Sequence, residues 1–463
     1  MPSERPFRVA VVGSGPAGFY AAAALLASEE PSAEVDVFDR LPTPWGLVRL
    51  GVAPDHPKIK SVSRAFEKIA QRPGFRFFGN VEVGRDLGHR DLMELYDAVV
   101  YAFGAQADRR MGIPGEDLPG SWPATAFVAW YNGHPDFQEI SFDLSSERAV
   151  VVGNGNVAVD VARMLALTLD ELAPTDTTDE AIAAIVGSGI REILVLGRRG
   201  PAQAAFTTPE LQELTELAGA DLVVDPADLE LDAASAAALE DDTAIARRNV
   251  ELLREVAERP PTGRPKALRL RFCVSPVAIL GDGRVEAVEV VRNELVADAS
   301  GRIRACPTDA REVIPCGIVL RSVGYRGTAM PGVPFDDERA TIRNDDGRVV
   351  DDGGVPIPGV YCTGWIKRGP SGVIGTNKKD ATETVEILFE DVRSGRLTRR
   401  AERGSLTVED VLAARGVAYV SYAGWEAIDA AERERGESQG RPRVKLCHWE
   451  ELLEAAARAS AVP

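Results

Sequence analysis

The sequence predicts an α/β protein with two doubly wound parallel sheets, the second inserted into the first. Three observations predict it. A β-branched strand, a glycine-rich loop and a helix follow one another at "FRVAVVGSGPAGFYAAAALLAS" and again at "RAVVVGNGNVAVDVARMLA". Strands and helices alternate after both starts, which implies parallel strands with helices on their faces. The strands "DAVVYAFGA" and "IVLRSVGYRG" both end in glycine, near 105 and 324, where the chain leaves the first unit and returns to it.

A chain of 463 residues is too long for one compact core, and two or three domains are expected. The expected boundaries are 1–106 for the first part of one domain, 107–324 for the inserted domain, and 325–463 for the second part with a helical tail. Hydrophobic content of 45% with 27% charged residues is ordinary for a globular protein. The longest strongly apolar run, "FYAAAALLA" from Phe19, is too short to span a bilayer. The N-terminal "MPSERPFRVAVVGSG" enters a strand within a few residues, so no targeting peptide and a cytoplasmic location are expected. Cys273, Cys306, Cys316, Cys362 and Cys447 form no C-x-x-C pair, and with only four histidines no metal site is expected.

The net charge of −18 argues against nucleic acid or an anionic membrane as the main partner. Against that acidic background, residues 247–271 carry eight Arg/Lys and three Glu. This run reads either as a solvated helix face followed by a strand or as a docking face for an acidic partner.

The remaining elements follow in order. After the first glycine loop and its helix come the strand "EVDVFDR", a helical stretch over 58–71, short strands "FRFFGN" and "VEVGRD", and "DAVVYAFGA". The Pro/Gly-rich segment 112–123 reads as a connection between domains. Beyond the second glycine loop lie a polar insertion near 170–190 and the strand "EILVLGRR". Residues 266–320 read as short strands with hairpin signals such as "GDGR". The chain then closes through "GVYCTGWIKRGPSGVIGTNKKDA", a helix and a charged helical tail.

Gly13, Gly15 and Gly18 have the G-x-G-x-x-G spacing. The first permits a tight turn, the second lets a pyrophosphate approach the backbone, and the third lets helix pack on strand. The next helix aims its free N–H groups at the phosphates. Asp39 lies 21 residues beyond Gly18, where a carboxylate accepts hydrogen bonds from ribose hydroxyls and repels a 2′-phosphate. This first loop therefore suits FAD or NAD. The second loop, Gly153, Gly155 and Ala158, is the G-x-G-x-x-A variant, and its next strand ends in Arg198 and Arg199. Two guanidiniums there favour a dianionic 2′-phosphate, so this loop suits NADP. One chain with both sites reads as a hydride relay in which cofactors do the chemistry.

The segments "VVGSGPAGFY", "PTPWGLVRLGVAPDHP", "GNVEVGRD", "GNGNVAVDVAR", "GRRGP", "AFTTPEL" and "GVYCTGWIKRGPSGVIGTNK" occur in that order, and with them the chain resembles adrenodoxin reductase-type ferredoxin–NADP reductases. The likeness runs from residue 7 to "GRPRVK" near the C-terminus. It implies two Rossmann-like dinucleotide-binding domains, a discontinuous FAD domain with an NADP domain inserted. It also implies hydride transfer from NADPH C4 to FAD N5, and then single electrons to an iron–sulfur ferredoxin. Carried onto this sequence, the FAD contacts are Ala17, Asp39, Leu47, Val83, Trp365, Gly372, Val373 and Ile374. The NADP contacts are Asn154, Gly155, Asn156, Val157, Arg198, Arg199, Glu210 and Gly372. Asp39 stands where glutamate is common and Asn154 where glutamine is common; both keep the functional group.

Residues 364–376 are glycine-rich and end where a helix begins, which suits backbone N–H groups facing the flavin's pyrimidine oxygens. His56, fixed between prolines in "PDHP", reads by itself as a capping or surface histidine. The resemblance places it near the flavin, with Asp160 as a polar partner and Glu210 at the nicotinamide end. Hydride transfer needs proximity above all, so none of the three is expected to be an essential acid or base.

Other readings are an NADPH-dependent flavin monooxygenase and a non-catalytic, NADP-sensing flavoprotein. No F-x-G-x-x-x-H-x-x-x-W segment is present for a Baeyer–Villiger enzyme, and no cysteine pair for a disulfide reductase. A glutamate synthase-like subunit would carry an N-terminal cysteine cluster, whereas the first cysteine here is Cys273.

Overall fold

The computed structural model describes residues 5–241, 244–299, 301–399 and 406–461. Two large sheets organise the chain. The first has seven strands in the spatial order Asn344–Asp345, Arg348–Val350, Pro356–Cys362, Ala98–Tyr101, Phe7–Val12, Ala33–Phe38 and Phe75–Phe78. Five of its strands are parallel, from Pro356–Cys362 to the edge strand Phe75–Phe78. The sheet is drawn from both ends of the chain, because Pro356–Cys362 pairs with Ala98–Tyr101. Its inner strands are apolar on both faces, as a parallel sheet covered by helices on each side requires.

The second sheet has six parallel strands, in the order Ser121–Pro123, Ile318–Arg321, Arg148–Val152, Glu192–Leu196, Lys266–Arg271 and Ala220–Val224. Ser121–Pro123 gives it an edge. The Pro/Gly-rich stretch expected to lie between domains therefore ends inside this sheet. The link lies earlier, where Ala107–Asp108 pairs antiparallel with Tyr325–Arg326 as the chain goes out and comes back.

Residues 274–315 form a separate antiparallel sheet of three strands: Val274–Leu280, Ala287–Ala297 and Ile303–Pro315. The "GDGR" turn joins the first two strands. Two local expectations differ. The stretch "VEVGRD" is a turn, closed by Glu82 N–H to Asp86 Oδ2 at 2.8 Å and Gly84 N–H to Leu87 O at 2.7 Å. The polar insertion near 170–190 holds two helices, Leu169–Leu172 and Asp179–Val186, with Thr168 and Thr178 capping their N-termini.

The C-terminal tail runs back across both halves. Arg441 donates to Thr175 O at 3.0 Å and to Thr177 O, and it pairs with Asp179. Lys445 Nζ lies 3.1 Å from Asp176 Oδ2, and Lys60 Nζ lies 2.7 Å from Asp176 Oδ1. One buried carboxylate in the middle of the chain thus joins an ammonium from each end. Beside it, Arg49 meets Glu432 at 2.5 Å, and Trp45 packs edge-on against Trp425 at 4.9 Å.

Candidate functional site

Each glycine loop lies at the carboxyl end of a central strand. The helix Pro16–Leu25 begins after Gly15, and Asn156–Ala166 begins after Gly155; neither start is capped by a side chain. A Cβ on either Gly15 or Gly155 would meet nothing within 4 Å. A Cβ on Gly18 would run into the Gly13 carbonyl, and one on Gly153 into the Ser322 carbonyl. The spacing therefore serves two ends: some glycines let the chain close on itself, while Gly15 and Gly155 keep an open approach to uncapped N–H groups. That donor set fits a pyrophosphate at both loops.

Asp39 follows the strand Ala33–Phe38. Its Oδ2 accepts from Ser14 N at 2.9 Å and Ser14 Oγ at 2.5 Å, and its Oδ1 accepts from Leu41 N at 2.9 Å. Burial pushes its carboxyl above the usual range, against the pull of those hydrogen bonds. Asp39 thus props the first loop as well as lying where a ribose would, and Oδ1 retains acceptor capacity.

The remaining residues assigned to FAD converge on this loop, except one. Gly364 lies so near the first helix that a Cβ on it would stand 2.6 Å from Ala17 Cβ. The helix Ile374–Arg393 runs along Pro16–Leu25. Trp365 Nε1 donates to Ser371 O at 3.1 Å, folding the loop 364–373 over, and its ring lies 5.3 Å from that of Tyr325. Gly372, with φ 80°, turns the chain into that helix, and Thr376 Oγ1 accepts from the N–H of Val373, the residue before it, at 3.2 Å. Leu47 and Val373 are apolar side chains left 42% and 66% exposed, which suits the face of a flavin ring. Val83 differs: it is buried in the core that also holds Phe38.

On the second loop, Asn154 O accepts from Ala205 N at 3.0 Å and Asn156 Oδ1 from Thr207 N at 2.9 Å. Asn154 Nδ2 is buried with no partner, a donor suited to a polar ligand. Val157 is half-buried in the first turn of the helix. Arg198 is exposed and Arg199 half-buried, and among the described residues neither guanidinium has an acidic partner. Burial and the charges of Arg198 and Arg302 push the Arg199 pKa down.

The three residues expected at the nicotinamide end come together around Arg163, which the sequence reading overlooked. Asp160 and Arg163 share a face of Asn156–Ala166, and Glu210 and Glu213 share a face of Thr208–Glu216. Arg163 is buried, and its Nε and Nη2 hold Asp55 in a fork at 2.7 and 3.0 Å. Its Nη1 lies 2.8 Å from Asp160, 3.3 Å from Glu210 and 3.2 Å from Glu213. His56 Nε2 lies 2.7 Å from Glu213 and 3.9 Å from Glu210. Asp55 and His56 come from the N-terminal sheet unit and the others from the inserted one. Glu213, Arg163 and Asp55 carried a usable signal: charged residues at i, i+3 on two helices, and an acid next to the proline-bracketed histidine.

The cluster is short of positive charge. Burial, reinforced by the Asp160 charge, pushes the Glu210 carboxyl up to about 7. Burial likewise raises Asp160. Burial opposes a charged His56, but the hydrogen bond to Glu213 prevails and its pKa rises. Burial would also raise Asp55, yet the Arg163 fork holds it below the usual range. His56, Glu210 and Glu213 are close enough to ligate a metal ion. The Arg163 guanidinium, 3.2–3.3 Å from both glutamates, already supplies their cation.

The basic run 247–271 is largely neutralised. Arg248 pairs with Glu251 and Glu255, Arg259 with Glu255, Arg264 with Asp221, Arg269 with Glu192 and Arg271 with Glu312. Arg254 is exposed and has no acidic partner among the described residues.

Comparison with known proteins places this geometry among redox enzymes. Residues 7–194 match the family described as pyridine nucleotide-disulphide oxidoreductase. The five cysteines are all unpaired. The chain is 52% identical to the NADPH-ferredoxin reductase FprA of Mycobacterium tuberculosis, over 97% of this chain and 99% of that protein. It is 42% identical to the mitochondrial NADPH:adrenodoxin oxidoreductase of Bos taurus, over 97% of this chain and 92% of that one. The structure of Mycobacterium tuberculosis FprA in complex with NADPH matches with a TM-score of 0.92 and 51% identity, covering 98% of this chain and all of that one.

Proposed function

The chain belongs to the adrenodoxin reductase-type ferredoxin–NADP reductases, and on that premise we propose how its residues divide the work. It is a FAD-dependent oxidoreductase that draws hydride from NADPH and passes electrons to an iron–sulfur ferredoxin. Bound FAD supplies the conversion from a two-electron donor to a one-electron acceptor, for which side chains have no chemistry.

The first loop, with Gly13, Gly15, Ala17 and Gly18, holds the FAD pyrophosphate on uncapped N–H groups, and Asp39 meets the ribose while propping Ser14. Leu47 and Trp365 border the flavin, and Gly372, Val373 and Ile374 present the helix entry to its pyrimidine end. Val83 acts from the core, supporting the strand end that carries Asp39.

The second loop, from Asn154 to Val157, holds the NADP pyrophosphate, and Arg198 and Arg199 select the 2′-phosphate. The observation that carries this division is the contrast after the two loops: a carboxylate fixed on Ser14, against two guanidiniums with no acidic partner among the described residues. Glu210 and Asp160 border the nicotinamide end. His56 holds a proton at Nε2 against Glu213 and fixes the junction of the halves, so that proximity and orientation do the rest.

We place the domain boundaries at 1–106, 107–324 and 325–463, supported by the strands each sheet draws on. No helix among the described residues is long and apolar enough to cross a membrane. Five unpaired cysteines support a reducing compartment, the cytoplasm.

The test is cytochrome c reduction driven by NADPH or NADH, with and without ferredoxin. NADPH should be strongly preferred, and ferredoxin should raise the rate. Equal use of NADH, or no ferredoxin dependence with any candidate, would overturn the assignment.

A further inference from the structure

The turn that carries Arg198 and Arg199 is held from outside its own sheet. Val274 N–H donates to Gly197 O at 3.0 Å, Asn293 Nδ2 to Arg198 O at 2.8 Å, and Cys273 N–H to Arg199 O at 3.0 Å. Three successive carbonyls thus accept from the antiparallel insert 274–315 or from the residue that enters it. Leu295 covers the next residue of the turn: its Cδ1 would lie 3.1 Å from a Cβ on Gly200. The corresponding turn of the first unit supports itself, because Asp39 accepts from Ser14 and Leu41. Two guanidiniums with no acidic partner among the described residues repel each other and anchor nothing, so this turn needs a hold on its backbone.

Val274 and Cys273 contribute backbone N–H groups, which almost any residue supplies. Asn293 contributes a side chain, and it is buried at 4% exposure. Its Nδ2 also donates to Ser275 Oγ at 2.8 Å, and its own N–H donates to Cys273 O at 2.7 Å. Its Oδ1 is buried without a partner. Turned over, the amide would set that oxygen against Arg198 O, so the unmet acceptor is what keeps the donor on the turn. The strand changes phase to bring Asn293 there. Its buried positions run Val288 and Val290, then Val291 and Asn293, and pairing with the third strand slips between Val291 and Asn293. Unbroken alternation would have turned Arg292 and Glu294 inward instead.

We propose that Asn293 is a positioning residue for the choice of NADPH over NADH: from inside the insert it fixes the backbone of the arginine turn, so that both guanidiniums are placed for the 2′-phosphate before it binds. The proposal rests on the reading of Arg198 and Arg199 as 2′-phosphate ligands. With its carbonyls drawn toward the insert, the turn meets a phosphate with donors and not with lone pairs. Discrimination between the two dinucleotides then depends on a sheet that is no part of the dinucleotide-binding fold.

Calorimetric titration of the holoenzyme with 2′,5′-ADP and with 5′-AMP tests it, since the two probes differ only in that phosphate. Asn293→Ala should weaken 2′,5′-ADP binding by about three- to tenfold, as loss of one neutral hydrogen bond does, and leave 5′-AMP unchanged. Asn293→Leu keeps most of the volume but lacks the donor, and it should show the same selective loss. Steady-state assays should show KM rising for NADPH and not for NADH. Equal losses for both probes would reduce Asn293 to packing and overturn the proposal. The double variant Arg198→Gln, Arg199→Gln separates the two ideas. If it loses 2′,5′-ADP affinity while both Asn293 variants bind like the unaltered protein, the role of Asn293 is overturned and the reading of the arginines stands. If the double variant keeps full affinity, the arginines are wrongly read, and the proposal falls with them.

Discussion

His56 Nε2 and Glu213 Oε2 lie 2.7 Å apart, joining positions 157 residues distant in the chain across the junction of the two sheet units. If this contact aligns the halves for hydride transfer, disturbing either partner should slow the reaction without releasing the flavin. His56→Gln and Glu213→Gln should each slow flavin reduction by NADPH by less than about tenfold. The double variant should be no slower than the worse single one, because both remove the same contact. Stopped-flow absorbance measures the rates; unchanged rates in both single variants would contradict the role.

A pH profile should follow from Glu210. Its carboxyl, raised to about 7, is neutral at acid pH and ionises as the pH climbs through that value. His56, with a raised pKa, loses its positive charge in the same direction. Both changes make the nicotinamide end of the pocket more negative, so the cationic ring of NADP+ should be held more tightly with rising pH, by about three- to tenfold for each added charge. Glu210→Gln should flatten the profile when flavin absorbance is titrated with NADP+ at each pH.

The two glycine roles can be separated by adding one methyl group. Gly15→Ala, with φ −74° and open space for a Cβ, should fold normally but purify with little flavin, because the methyl occupies the pyrophosphate approach. Gly153→Ala, with φ 133° and the Ser322 carbonyl in the way, should lower stability by at least about 1–3 kcal/mol. Flavin content and urea unfolding read the two effects. A Gly15→Ala protein with full flavin would contradict the placement of the cofactor.

The buried Lys60–Asp176–Lys445 group makes an asymmetric prediction. Asp176→Asn leaves two buried ammonium groups without a counter-ion and should cost about 3–5 kcal/mol. Lys445→Met leaves the Asp176–Lys60 pair intact and should cost less. Burial pushes the Lys445 pKa from 10.5 down to about 7, so above about 7 the unfolded chain binds more protons than the folded one. Stability from Lys445 should therefore rise between those two values, and Lys445→Met should remove that part of the rise, leaving the part due to Lys60, whose pKa burial also lowers. Urea unfolding across that pH range checks both statements.

For the basic run, the pairing singles out Arg254. Arg254→Glu should raise the apparent KM for ferredoxin several-fold at low salt and little at high salt, leaving NADPH kinetics unchanged. Neutralising the paired Arg248 should do less. Ferredoxin-dependent cytochrome c reduction at two ionic strengths decides, and equal KM values would exclude this face.

The two sheets were legible in the sequence because their signals are local. A β-branched run, a glycine spacing and a helix occupy some twenty consecutive residues at Phe7 and again at Arg148. The charge after each following strand was legible for the same reason. The Arg163 cluster was not: its fork to Asp55 spans 108 residues, and only tertiary folding brings the elements together. The pairing within the basic run was hidden for the same reason, since Asp221, Glu192 and Glu312 come from other strands. "VEVGRD" alternates like a strand, but its Asp86 side chain captures a backbone N–H and closes a turn instead.

The pairing of Pro356–Cys362 with Ala98–Tyr101 has a consequence for synthesis. A ribosome delivers Ala98–Tyr101 long before its neighbour, and the whole inserted unit emerges in between. Until residue 362 leaves the exit tunnel, an apolar strand has one row of backbone groups unpaired, a template for wrong partners. The inserted unit, continuous in the chain, can mature during that interval, so the nascent protein passes through a stage in which its middle is finished and its beginning is not. Prematurely terminated chains ending before Pro356 would carry that open edge permanently and would be the aggregating species in overexpression.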